Sequence, residues 1–146
     1  MGVNDAIIHY PGRLQHGVGL HDEVLDWFAA YRRSHIQPGD PEPMVAHYRL
    51  LRETPFNYHP SRGWEIDDLP RGSSSYFAVV IGLALGYERI ILAGVPLDAM
   101  GHFFCPQDPV DYWDYFGPAW EKAAKTIFQG RVKSLSGRTR ELLGEP

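Results

Sequence analysis

The chain has 146 residues, of which 44% are hydrophobic and 22% are charged, values typical of a soluble globular protein. This composition excludes a disordered or fibrous chain, and the length predicts a single domain over residues 1–146. The formal net charge of −4 disfavours binding to nucleic acid, because proteins that neutralise a phosphate backbone usually carry a basic surplus.

The cysteine content and the apolar runs bear on the cellular compartment. Cys105 is the only cysteine, so the chain cannot form an intrachain disulfide. The longest apolar run, residues 77–87, is far shorter than the ~20 residues that cross a bilayer, and the N-terminus has no signal-peptide pattern. These features predict a cytoplasmic protein without a membrane span.

The first half of the chain predicts strands together with one helix. Asp22 is a candidate N-cap, and the spacing of Leu25, Phe28 and Ala29 indicates a helical face. Prolines and glycines interrupt the pattern twice and predict loops. In chain order we expect a strand over residues 3–8, a strand over 16–20, a helix over 22–33, a loop over 37–43, a strand over 44–50 and an irregular segment over 52–72.

The second half predicts helices that alternate with strands. Serines before residue 76 are candidate N-caps for an apolar helix, and Gly86 stands in its C-cap position. The next apolar run reads as a central parallel strand covered on both faces. In chain order we expect a helix over residues 76–85, a strand over 90–93, a helix over 111–128, a strand over 132–135 and a helical turn over 139–143. This alternation predicts an α/β layer fold with a mainly parallel sheet.

Three segments carry candidate ligand-binding residues, because open parallel sheets bind ligands beyond the carboxyl ends of their strands. The first holds Asn4 and Asp5, and the third is the loop after residue 93. The second opens the apolar helix with Ser73, Ser74 and Ser75, where backbone N–H groups and the helix dipole attract a phosphate or carboxylate. Plain N-capping needs one serine and remains the alternative.

The loop after the predicted central strand carries Asp98 and His102. A histidine can move a proton near neutral pH, and a nearby carboxylate can orient it, so this pair is a candidate catalytic pair. An aspartate that caps its own loop and a surface histidine are the alternative. The histidines lack the spacing of metal ligands, so neither a metal nor a cofactor is predicted.

Residues 72–98 read GSSSYFAVVIGLALGYERIILAGVPLD. The stretch resembles the serine-containing helix start, the Leu-Gly-Tyr turn and the strand before Gly-x-Asp of small bacterial sialyltransferases that use CMP-sialic acid. The start GVNDA and the ending SLSGRTRELLG are similar to related phage and bacterial proteins of the same Rossmann-like superfamily.

This resemblance implies a Rossmann-like three-layer fold and a glycosyltransferase-like site for a nucleotide or nucleotide sugar. It implies that Asn4 contacts the nucleotide, that Ser73 and Ser74 meet a phosphate or carboxylate, and that His102 is the general base beside Asp98. In this family another strand, the first of the sheet, precedes the asparagine-bearing strand. A Rossmann-like fold without that first strand therefore stays an alternative to the complete fold. The second hypothesis is a non-enzymatic interaction module. It would self-associate at a sheet edge or through helix 111–128.

Overall fold

A computed structural model describes residues 1–12, 14–19, 22–35, 46–48, 73–99 and 111–146. The chain divides into two compact units, Met1–Trp64 and Glu65–Pro146, which we call unit 1 and unit 2 and describe separately. The single domain expected over residues 1–146 stays a prediction.

Unit 1 contains a parallel three-stranded sheet with the order β1-β2-β3. Gly2 pairs with Gly17 and Val3 with Val18, so β1 and β2 run in register in the same direction. A helix follows each of the first two strands, which is the βαβ connection that parallel strands require. The elements are β1 (Gly2–Val3), α1 (Ala6–His9), β2 (His16–Val18), α2 (Asp22–Ser34) and β3 (Ala46–Tyr48).

The predicted strand over residues 3–8 is wrong beyond Val3. Asn4 adopts a left-handed conformation with φ +49°, which turns the chain out of β1 and into α1. The amide of Ile7 then donates to the carbonyl of Asn4 at 2.9 Å. Ile7 is fully buried, so the apolar residues assigned to a strand supply the core from a helical turn instead.

The other predicted elements of unit 1 are confirmed where the structure describes them. The strand at His16–Val18 lies within predicted residues 16–20, and α2 begins at the predicted Asp22 and ends one residue after Arg33. Strand β3 lies within predicted residues 44–50. The loops expected over 37–43 and 52–72 lie outside the described residues.

Unit 2 contains a parallel pair of strands, β4 and β5, in which Ile90 pairs with Val132 and Leu92 with Ser134. Helix α4 lies between the two strands in the chain, as a parallel connection requires. The elements are α3 (Ser74–Ala84), β4 (Ile90–Leu92), α4 (Trp113–Ala124), β5 (Val132–Ser134) and α5 (Gly137–Leu143).

Helix α3 is apolar on all sides and forms the centre of unit 2. All its residues from Tyr76 to Leu83 are buried, as expected for a helix without a polar face. Gly82 lets the helix approach the sheet, because a β-carbon there would lie 2.8 Å from Cδ1 of Ile90. Gly86 has φ +92°, which confirms the predicted glycine stop.

An aromatic cluster joins α3 to α4. The ring of Tyr76 meets that of Trp120 edge-on at 5.5 Å, and both rings contact Phe128, at 5.1 Å from Tyr76 and 5.6 Å from Trp120. Trp120 and Phe128 are fully buried, so this cluster is part of the core of unit 2. Helix α4 ends at Ala124, before the predicted residue 128, but Phe128 still reaches the core because its amide donates to the carbonyl of Ala123 at 2.8 Å.

The expectation that strand β4 is covered on both faces is wrong for the described part of the chain. Leu92 is 7% exposed on one face, whereas Ile91, whose side chain points to the other face, is 57% exposed. The observed architecture is therefore mixed α/β with short parallel sheets. No helix among the described residues is long and apolar enough to cross a membrane.

Candidate functional site

The start of helix α3 carries the predicted serine triplet. The hydroxyl of Ser73 accepts a hydrogen bond from the amide of Tyr76 at 3.2 Å, so Ser73 is the N-cap. The hydroxyls of Ser73 and Ser75 lie 2.7 Å apart and share a hydrogen bond. Ser73 is 9% exposed, while Ser74 and Ser75 are half-buried and reach solvent.

This arrangement can bind an anion through both backbone and side chains. The first amides of a helix have no intrahelical acceptor, and the macrodipole gives this end a partial positive charge. The first turn contains no acidic residue that would occupy these donors. Capping uses Ser73 alone, so the hydroxyl of Ser74 is available to donate to a ligand.

The loop after β4 leads to Asp98. Leu97 has φ +51°, a rare conformation for a residue with a branched side chain. Asp98 is half-buried next to this turn. Among the described residues, Asn4 and Leu97 are the only ones other than glycine with a positive φ. Asn4 is itself a predicted site residue, and Leu97 directly precedes Asp98, which is another.

Helix α5 holds the loop after β4 through hydrogen bonds to its backbone. The hydroxyl of Thr139 donates to the carbonyl of Val95 at 2.5 Å, and its amide donates to that of Pro96 at 3.4 Å. The hydroxyl of Ser134 lies 2.8 Å from that of Thr139, and both residues are fully buried. These contacts hold the chain that precedes Asp98 in one conformation.

Sequence reasoning missed this hydroxyl pair. The sequence pattern predicts only a short strand and a helical turn there, without a polar role. The available signal was the density of hydroxyl side chains around Gly137, with Ser134 and Ser136 before it and Thr139 after it. The hydroxyl oxygen of Ser136 is buried without a hydrogen-bond partner, which adds a polar atom to the same corner.

Asn4 and Asp5 occupy the corner between β1 and α1 in unit 1. The amide of Asn4 donates to the carbonyl of Val18 at 3.0 Å and extends the β1–β2 pairing by one residue. The Asp5 side chain makes no capping bond to α1. Asn4 is exposed and Asp5 half-buried, so both side chains can meet solvent at the carboxyl end of β1.

Arg32 of α2 is a second residue that the sequence did not single out. Its guanidinium donates to the carbonyls of Ile7 at 2.6 Å and Tyr10 at 2.7 Å, and also to the carbonyl of Gly12. In the structure it stabilises the end of α1 and the turn that follows.

A charged pair joins the start of α4 to α5. Arg138 donates to the carboxylate of Asp111 at 2.9 Å, and its guanidinium lies 5.7 Å from the ring centre of Trp113. The amide of Trp113 donates to the same carboxylate at 2.9 Å. This backbone hydrogen bond, and then Arg138, lower the pKa of Asp111 below its ordinary value.

That the predicted site residues lie together at one site stays a prediction. The three serines and Asp98 belong to unit 2, whereas Asn4 and Asp5 belong to unit 1. His102, the candidate base, lies outside the described residues. Within those residues, no group of three or more His, Cys, Asp or Glu side chains is arranged to hold a metal ion.

Comparison with known proteins adds no relative. The chain matches no family model, no curated protein and no solved structure.

Proposed function

We propose that the chain is a Rossmann-like protein that binds an anionic ligand of the nucleotide or nucleotide-sugar class and acts as a glycosyltransferase. The observation that carries the proposal is the serine-rich start of α3. It combines an N-cap at Ser73, a hydroxyl available at Ser74 and a helix dipole that no acidic residue of the first turn offsets.

The strand order supports the fold in this proposal. Unit 1 is a β-α-β-α-β segment with the order β1-β2-β3, and unit 2 adds a parallel β4-α4-β5 segment. One half of a Rossmann sheet has this β-α-β-α-β construction, and the whole sheet has six strands in the order 3-2-1-4-5-6. Each unit therefore has, by itself, the parallel construction of part of such a sheet.

In each unit a candidate residue follows a parallel strand. Asn4 follows β1, and Asp98 lies in the loop after β4, so both would stand beyond carboxyl ends of parallel strands. In the proposed complex the nucleotide meets Asn4 and Asp5. Its phosphate, or the carboxylate of its sugar, meets Ser73, Ser74 and Ser75.

The proposed reaction is transfer of the sugar to an acceptor hydroxyl. His102 removes the hydroxyl proton while the oxygen bonds to the anomeric carbon, and the bond from that carbon to the nucleotide phosphate breaks with its electrons on the leaving nucleotide. Asp98 orients His102 or the sugar. No metal takes part in this scheme, so the positive end of α3 must offset the charge of the leaving group.

Binding is tested by thermal unfolding with CMP, UDP, GDP and their sugars. A ligand at one hundred times its dissociation constant stabilises by ~2.7 kcal/mol, which raises Tm by roughly 5–10 °C in a chain of this size. Replacing Ser74 (Ser74→Ala) should reduce the shift, whereas Thr126→Ala, in the exposed turn after α4, should keep it. Absence of any shift at millimolar ligand would contradict the site.

Catalysis is tested separately, with any nucleotide sugar that binds. His102→Ala should abolish transfer to an acceptor and leave the ligand-induced Tm shift unchanged. Full transfer activity in this variant would remove His102 from the mechanism while leaving the binding proposal intact.

A second candidate function, a self-associating interaction module, is favoured by one observation. Ile91 on β4 and Leu135 directly after β5 are 57% and 54% exposed, and exposed apolar strands at a sheet edge invite pairing with another chain. In this interpretation β4 pairs with a second copy of the chain.

Nuclear Overhauser effects distinguish the Rossmann-like protein from the interaction module. They are measured in one sample that mixes isotope-labelled and unlabelled chains. The Rossmann-like protein predicts no contact of Ile91 across the label boundary. The interaction module predicts contacts of Ile91 across the label boundary and a molar mass of two copies. An Ile91→Lys variant should abolish the second pattern.

A further inference from the structure

We draw no further inference here: the strongest candidate, the open groove between α4 and α5 lined by Trp113, Asp114, Arg138, Glu141 and Leu142, carries none, because Arg138 is already engaged by Asp111 and the Trp113 ring and the remaining charges are an acidic pair with no second observation that points to a ligand.

Discussion

Among the described glycines of unit 2, Gly137 is the one at which replacement by alanine should cost the most stability. Its φ is +60°, a conformation that residues with a β-carbon adopt only with strain. A β-carbon there would also lie 2.5 Å from the carbonyl oxygen of Pro96 and 2.6 Å from its Cα. Both are backbone atoms, so no side-chain rotation relieves the contact.

The cost of Gly137→Ala has two parts. The left-handed conformation costs ~1–2 kcal/mol for an alanine. The contact with Pro96 adds ~1–3 kcal/mol, the usual cost of inserting a methyl group into a packed interior. The loop cannot move away freely, because Thr139 holds the carbonyls of Val95 and Pro96. We therefore expect a total loss of about 2–5 kcal/mol in the free energy of unfolding.

Gly130→Ala is the matched control. Gly130 has φ +69°, yet no atom lies within 4 Å of a β-carbon there, so this variant should show the conformational cost alone. Urea denaturation followed by far-ultraviolet circular dichroism measures both variants. Gly137→Ala should be the less stable by ~1–3 kcal/mol. Equal destabilisation of the two would show that helix α5 does not pack against the loop after β4 as described.

Three further substitutions test contacts that the sequence did not reveal. Arg32→Met should cost ~2–3 kcal/mol because three backbone carbonyls lose a charged donor, while Arg33→Met, on the exposed side of α2, should be near neutral in the same urea measurement. Thr139→Val should cost ~1–3 kcal/mol because the carbonyl of Val95 and the buried Ser134 hydroxyl each lose a hydrogen bond, and a loss under ~0.5 kcal/mol would refute that role. For Asp111 the folded pKa is lowered, so its charge stabilises the fold above the ordinary carboxyl pKa, and this contribution disappears as the pH falls through the folded pKa. The stability of Asp111→Asn should thus fall below that of the wild type near pH 7 and converge with it at acid pH; curves that run parallel across the range would contradict the pairing.

Periodicity predicted the long elements because their apolar positions decide their environment. The face of α4 that carries Trp120 is buried as its helical spacing requires. The apolar segment that begins at Tyr76 is long enough to be a buried helix, and a serine at its start and a glycine at its end set its limits.

Short apolar segments were predicted less well, because a few residues do not distinguish a strand from a helical turn. The segment that contains Ile7 has apolar residues compatible with either state. The left-handed conformation of Asn4 decides between them, and a single asparagine in the sequence does not predict that conformation. Similarly, the run at Ile91 has the composition of a strand covered on both faces, but coverage depends on which elements pack there.

The candidate site shows the same division between local and long-range information. The N-cap at Ser73 could be predicted because its partner, the amide of Tyr76, lies three residues away. The bond from Thr139 to Val95 could not, because 44 residues separate its partners in the chain. Yet this bond fixes the loop that carries Asp98, since Val95 lies only three residues before it. Any ligand geometry at the end of β4 therefore depends on helix α5, whose own sequence shows no sign of a role in binding.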